Sequence, residues 1–277
     1  MSKRNKIIIN SSLIIPVLPL TFSMVSCIRT EKNLIKAPMP KGFEFVPYSV
    51  NKKQVITDKL INNILEKQFK SDEASKVNFL NSQKNEEALF NEFYQLTEMY
   101  ISSGGKSENL ENLNSFYSKN WLFVLKNITQ FEWRHIDYWS FEPKDKAKHS
   151  DEFIEKIKWM EHPRKQIFLD NYFDELYEGE ESRESNQDVF YLKKGKMVIR
   201  ILISRNNGVS QLTFDKIIHF TKARSNKISI RLISSAVHNG IIHEQQAGYD
   251  VFEKDIITNF GYPSLGVLLV KEKNETN

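Results

Sequence analysis

Cysteine is almost missing from this chain. Cys27 is the only one in 277 residues, so no intrachain disulfide or thiolate metal cluster can form. The fold must rely on packing. Arginine is scarce too, with 9 residues against 30 lysines. Arginine is the side chain best suited to bidentate phosphate or carboxylate recognition, so its scarcity argues against a large phosphate-handling site. An excess of one charge is also lacking. The formal charge is +4, but Lys3, Arg4 and Lys6 precede Cys27 and no acidic residue does. The rest of the chain is close to neutral, without the basic footprint of a nucleic-acid binder.

Catalytic motifs fail on inspection. Gly105-Lys106-Ser107 looks like the end of a phosphate-binding loop, but the required first glycine falls at Tyr100. His243-Glu244 begins like a zinc-protease helix, but its second histidine would be at Ala247. His238 and His243 are five apart, a spacing that does not share an α-helical face. There is no G-x-S-x-G elbow, and no cysteine nucleophile is left for the folded part. Carboxylates are plentiful, but the sequence singles out no pair. The expectation is a protein that is not an enzyme, with no catalytic residue, metal site or cofactor.

What is present begins at the amino terminus. Lys3, Arg4 and Lys6 form a positive region, and Leu13 to Phe22 is a ten-residue apolar stretch interrupted by Pro16 and Pro19. A stretch this short is a secretory signal rather than a bilayer span of about 20 residues. Small Ser26 directly precedes Cys27. Met24-Val25-Ser26-Cys27 resembles the bacterial lipobox, departing from it where Met24 replaces the preferred leucine. The resemblance implies cleavage before Cys27 and a thioether-linked diacylglycerol on its sulfur. Two acyl chains hold a protein to a membrane stably where one does not. An uncleaved anchor and a chance cysteine are the alternatives. The expected organisation is a signal peptide at 1–26, a lipid-anchored tether at 27–52 bearing Pro38, Pro40 and Pro47, one domain at 53–273 and a tail at 274–277. A subdomain break near 178–188 is the alternative to a single domain.

Apolar spacing in the folded part predicts helices first. Ile56, Leu60, Ile64, Leu65 and Phe69 define one, and Leu89, Phe93, Leu96 and Tyr100 another. A long third helix runs from Leu110 to Ile128, capped by Ser107. Ser150 caps a fourth, bearing Phe153, Ile157 and Met160. Leu169, Phe173, Leu176 and Tyr177 suggest a fifth, and Glu178 to Asp188 reads as a solvated acidic loop. The remainder turns to strands. Met197 to Ser204 lies between the turn signals Lys194-Gly195 and Asn206-Asn207-Gly208. Ile228, Ile230 and Leu232 alternate with polar residues, and Leu265 to Val270 is a late strand. The expected fold class is α+β, with a helical N-terminal half packed on a C-terminal, mainly antiparallel sheet.

Aromatic residues cluster. All four tryptophans lie between Trp121 and Trp159, and the run from Phe131 to Phe141 is the densest segment. Two readings stand. The rings are either core, burying large areas, or an exposed platform. In the second case Trp133, Tyr138, Trp139 and Phe141 are candidate ligand- or partner-binding residues. The lipobox, the lysine-rich composition and this cluster together make the chain resemble the mycoplasma aromatic-cluster surface lipoproteins. That resemblance implies a surface location and no established activity. The expected molecule sits on the extracellular face of a cell membrane, held by lipid on Cys27. Its partners are the membrane and a host surface molecule or other protein, with no nucleic acid and the oligomeric state left open. The leading expectation is a non-catalytic protein of host contact or antigenic display. The alternatives are a lipoprotein capturing a small molecule for uptake and an exported hydrolase without a recognisable motif.

Overall fold

A computed structural model describes residues 54–184, 186–206, 208–222 and 228–271. Cys27, the segments expected to be signal and tether, and the expected tail at 274–277 lie outside the described residues.

Five helices open the fold: α1 (Gln54–Phe69), α2 (Glu73–Ser82), α3 (Glu86–Ser102), α4 (Ser107–Lys119) and α5 (Trp121–Lys126). α1 and α3 form where apolar spacing predicts them, but Ile56 of the first stripe is 48% exposed, and Ile61 and Phe90, outside the two stripes, are buried. α2 was not legible because it buries no residue and has no stripe. It is held by its cap, where the Asp72 carboxylate accepts from Ser75 N at 3.0 Å, and by Phe79 stacking on Trp121 at 5.3 Å. The long third helix is broken at Asn120, which is buried and bonded by Gln83 Nε2 at 3.3 Å. Beyond the break, α5 is buried from Trp121 to Leu125, as suits a segment apolar all round. Ser107 is the first helical residue rather than the cap, a place taken by Lys106. Ser150 does cap α6 (Asp151–Lys158), its Oγ accepting from Phe153 N at 3.1 Å.

Among the described residues seven strands form one sheet. They are β1 (Phe131–Tyr138), β2 (Gln166–Ile167), β3 (Glu175–Glu178), β4 (Gln187–Lys194), β5 (Met197–Asn206), β6 (Val209–Phe220) and β7 (Pro263–Val270). Their order is β2-β1-β7-β6-β5-β4-β3, every neighbouring pair antiparallel. Gly195 at φ 57° and Gly208 at φ 81° turn the two hairpins the sequence signalled. The result is the expected α+β class.

Three local expectations are corrected. The fifth helix is absent. Leu169 is 91% exposed, and the later part of that stretch is the edge strand β3. The acidic loop contains a 3-10 turn, Glu180–Arg183, whose Glu181 is fully buried. The strand expected around Ile230 is α7 (Ile230–Val237), capped by Ser229, whose Oγ accepts from Leu232 N at 3.2 Å. Three alternating residues do not separate a strand from a helix.

From α7 the chain runs through a π-helical turn, His238–Ile242, then α8 (Gln246–Val251), a second π segment, Phe252–Ile257, and α9 (Thr258–Phe260). In the first π turn His243 N donates to His238 O at 3.1 Å. That i→i+5 bond puts residues five apart on one face. His238 and His243 are therefore neighbours, contrary to the expectation drawn from α-helical spacing.

The sheet is covered on both faces, so its strands read as continuous apolar runs. Along β4, Phe190 and Leu192 face the core under α1–α5, while Val189 and Tyr191 face the core under α6–α9. The second core contains a buried polar network. Glu181 accepts from the Tyr191 hydroxyl and from Ser234 Oγ at 2.9 Å, and Arg200 lies 3.4 Å from Glu181 and 2.6 Å from Asp215. Each group answers another, as burial of charge requires.

Candidate functional site

The aromatic run is strand β1 and the turn after it. At its start, Phe131 and Trp133 point into the first core. Phe131 meets Phe93 at 4.7 Å, and the Trp133 indole donates to Ile217 O at 3.3 Å, satisfying its only polar atom. Facing the indole on β7 is Gly266. A Cβ there would lie 2.3 Å from Trp133 Nε1, so only glycine leaves room for the ring. The register then shifts: His135 pairs with Gly266 and Asp137 with Leu265, leaving Ile136 as an extra residue. Such a bulge bends a strand and re-aims its later side chains. Past the bulge, Trp139 and Phe141 enter the second core and meet Phe252 at 5.4 and 4.6 Å. Tyr138 lies at the crossover, its hydroxyl donating to Glu161 O at 2.7 Å.

The four candidate binding rings are thus buried. Trp133 is 0% exposed, Tyr138 6%, Trp139 2% and Phe141 2%. The exposed-platform reading is corrected: one bulge shares these rings between two cores, and no face of them is left for a flat ligand. The indole that does face solvent is Trp159, 83% exposed.

Arg134, His135 and Ile136 of β1 line a shallow cleft of about 580 Å³ together with His162, Pro163 and Lys165. Two of these residues answer a buried carboxylate: Glu132 pairs with Arg134 and, at 3.4 Å, with Lys165. The His135 ring lies 4.6 Å from His162 and its Nδ1 meets Ser264 Oγ. Burial, reinforced by His162, moves the His135 pKa below its ordinary value, so its ring stays neutral at neutral pH. A serine against an imidazole is the contact of a nucleophile and its base. Ser264 is fully buried, however, and the contact serves to orient the ring. From β6 the His219 ring packs against Trp133, centroids 5.2 Å apart and planes tilted by 38°. Burial, with a contribution from Lys196, pushes its pKa down to about 4. Ser264, His162 and His219 carried no local sequence signal; each meets β1 only through sheet pairing or a distant loop.

Residues 38–262 match a family model described as aromatic cluster surface protein. No curated protein and no solved structure matches the chain. No helix among the described residues is long and apolar enough to cross a membrane.

Proposed function

The chain belongs to the aromatic cluster surface protein family, and from that premise we propose that it is a lipid-anchored, non-catalytic surface protein whose aromatic cluster is the internal frame of a display domain. The burial of Trp133, Tyr138, Trp139 and Phe141 carries this reading. Rings committed to both cores stiffen the sheet and leave the outer surface free to face the host, in contact or as antigen. The anchor rests on the sequence around Cys27: the positive start, the short apolar stretch and Ser26 before the thiol. Capture of a small molecule on those four rings is disfavoured by the same burial.

Mass spectrometry of the protein extracted from membranes tests the anchor. The expected result is a mature chain starting at Cys27 with a diacylglycerol mass on that residue, and loss of that mass and of the Cys27 start for Cys27→Ser. An intact Met1 start with an unmodified thiol would overturn it.

A further inference from the structure

The π turn that pairs His238 with His243 brings them to a carboxylate. Their rings stand nearly perpendicular, 4.5 Å apart, with the two Nε2 atoms at 3.0 Å. Glu184, just after the 3-10 turn, places Oε1 3.7 Å from His238 Nε2 and Oε2 3.5 Å from His243 Nε2. The three ligand atoms converge within 4.8 Å of one another. His238 Nδ1 is turned inward and buried without a partner among the described residues, so Nε2 is the nitrogen that faces the cluster.

We propose that Glu184, His238 and His243 bind a divalent transition-metal ion, with Zn²⁺ as the representative. Zinc holds nitrogen at about 2.0–2.1 Å and carboxylate oxygen at about 2.0–2.2 Å in a tetrahedron, which sets ligand atoms roughly 3.3 Å apart. The three separations, 3.0, 3.5 and 3.7 Å, bracket that edge. The two longer ones run to different oxygens of one carboxylate. Two imidazoles and a carboxylate suit zinc and its first-row neighbours better than calcium or magnesium. Three protein ligands leave a fourth position for water, and His243 and Glu184 are exposed on the side where an ion would enter.

The segments that present the ligands are joined. Glu181, three residues before Glu184, accepts from Ser234 Oγ at 2.9 Å, and Ser234 Oγ in turn accepts from Glu180 N at 2.9 Å. Ser234 lies on α7, one turn before His238. These hydrogen bonds tie together the two segments that carry the ligands. Below, Gly240 sits in the π turn itself. A Cβ on it would come within 2.9 Å of the Phe141 ring. The aromatic cluster is thus the floor on which the π turn rests.

The test uses the full chain carrying Cys27→Ser, which removes the sole thiol as a competing ligand. Zn²⁺ binding is measured by competition with a chromophoric chelator, and Co²⁺ serves as a spectroscopic probe. The expected results are one ion per chain, the intense visible bands of tetrahedral Co²⁺, and affinity reduced about tenfold or more by His243→Gln and by Glu184→Gln. Both substitutions are at exposed positions, and metal-free thermal unfolding checks that each variant is folded. No saturable binding by the parent chain, or binding unchanged in the Glu184→Gln/His243→Gln double variant, would overturn the proposal.

Discussion

Trp133→Ala should lower the unfolding free energy by about 3–5 kcal/mol, whereas Trp159→Ala should change it by no more than about 0.5 kcal/mol. Removing the Trp133 indole leaves a cavity that cannot collapse from across the sheet, because Gly266 has no side chain to move in. It also strips Ile217 O of its indole donor and His219 of the ring it packs against. Domains of this kind are stable by roughly 5–15 kcal/mol, so the loss is a large part of the total and should appear as reduced accumulation as well as a lower urea midpoint. Trp159, already in solvent, has little packing to lose. Equal effects at the two positions would contradict the assignment of Trp133 to the core.

The second large effect is a dependence on pH. His219 has a pKa of about 4 in the fold, below the ordinary value of 6.5. Above 6.5 the ring is neutral whether folded or unfolded, and its contribution to stability is fully present. As the pH falls from 6.5 towards about 4, the unfolded chain takes a proton that the folded one refuses, and stability is lost. Between about pH 7 and pH 5 this amounts to roughly 2 kcal/mol. His135 and His149 are shifted down by burial as well and add loss in the same direction. Urea unfolding at both pH values separates them: His219→Gln should lose about 2 kcal/mol less than the parent on acidification. The same loss in both would contradict the buried neutral ring.

Those two residues also show what was legible in the sequence. Trp133 stood out because the cluster is dense along the chain, but its direction was hidden. That direction depends on the bulge at Ile136 and on Gly266, both features of pairing with a strand far along the sequence. Helices with an apolar stripe, α1 and α3, and the hairpins marked by Gly195 and Gly208 were readable because their signals are local. α2 has no stripe, and the run at Ile228, Ile230 and Leu232 was too short to fix a period. Glu181 looked like one more solvated acid, since the Tyr191, Arg200 and Ser234 partners that make its burial tolerable come from three other elements. The pairing of His238 with His243 was missed because it requires a π turn, and a five-residue spacing argues against pairing on an ordinary helix.

The central claim is that the aromatic cluster lies inside the protein. Iodide quenching of tryptophan fluorescence tests it most directly, comparing the parent with Trp159→Phe. Trp121, Trp133 and Trp139 are buried and Trp159 is exposed. The account predicts a quenchable component in the parent that disappears in Trp159→Phe, leaving blue-shifted emission insensitive to iodide. Emission in Trp159→Phe that remains red-shifted and as quenchable as the parent's would show rings of the cluster in solvent, and the internal frame would be wrong.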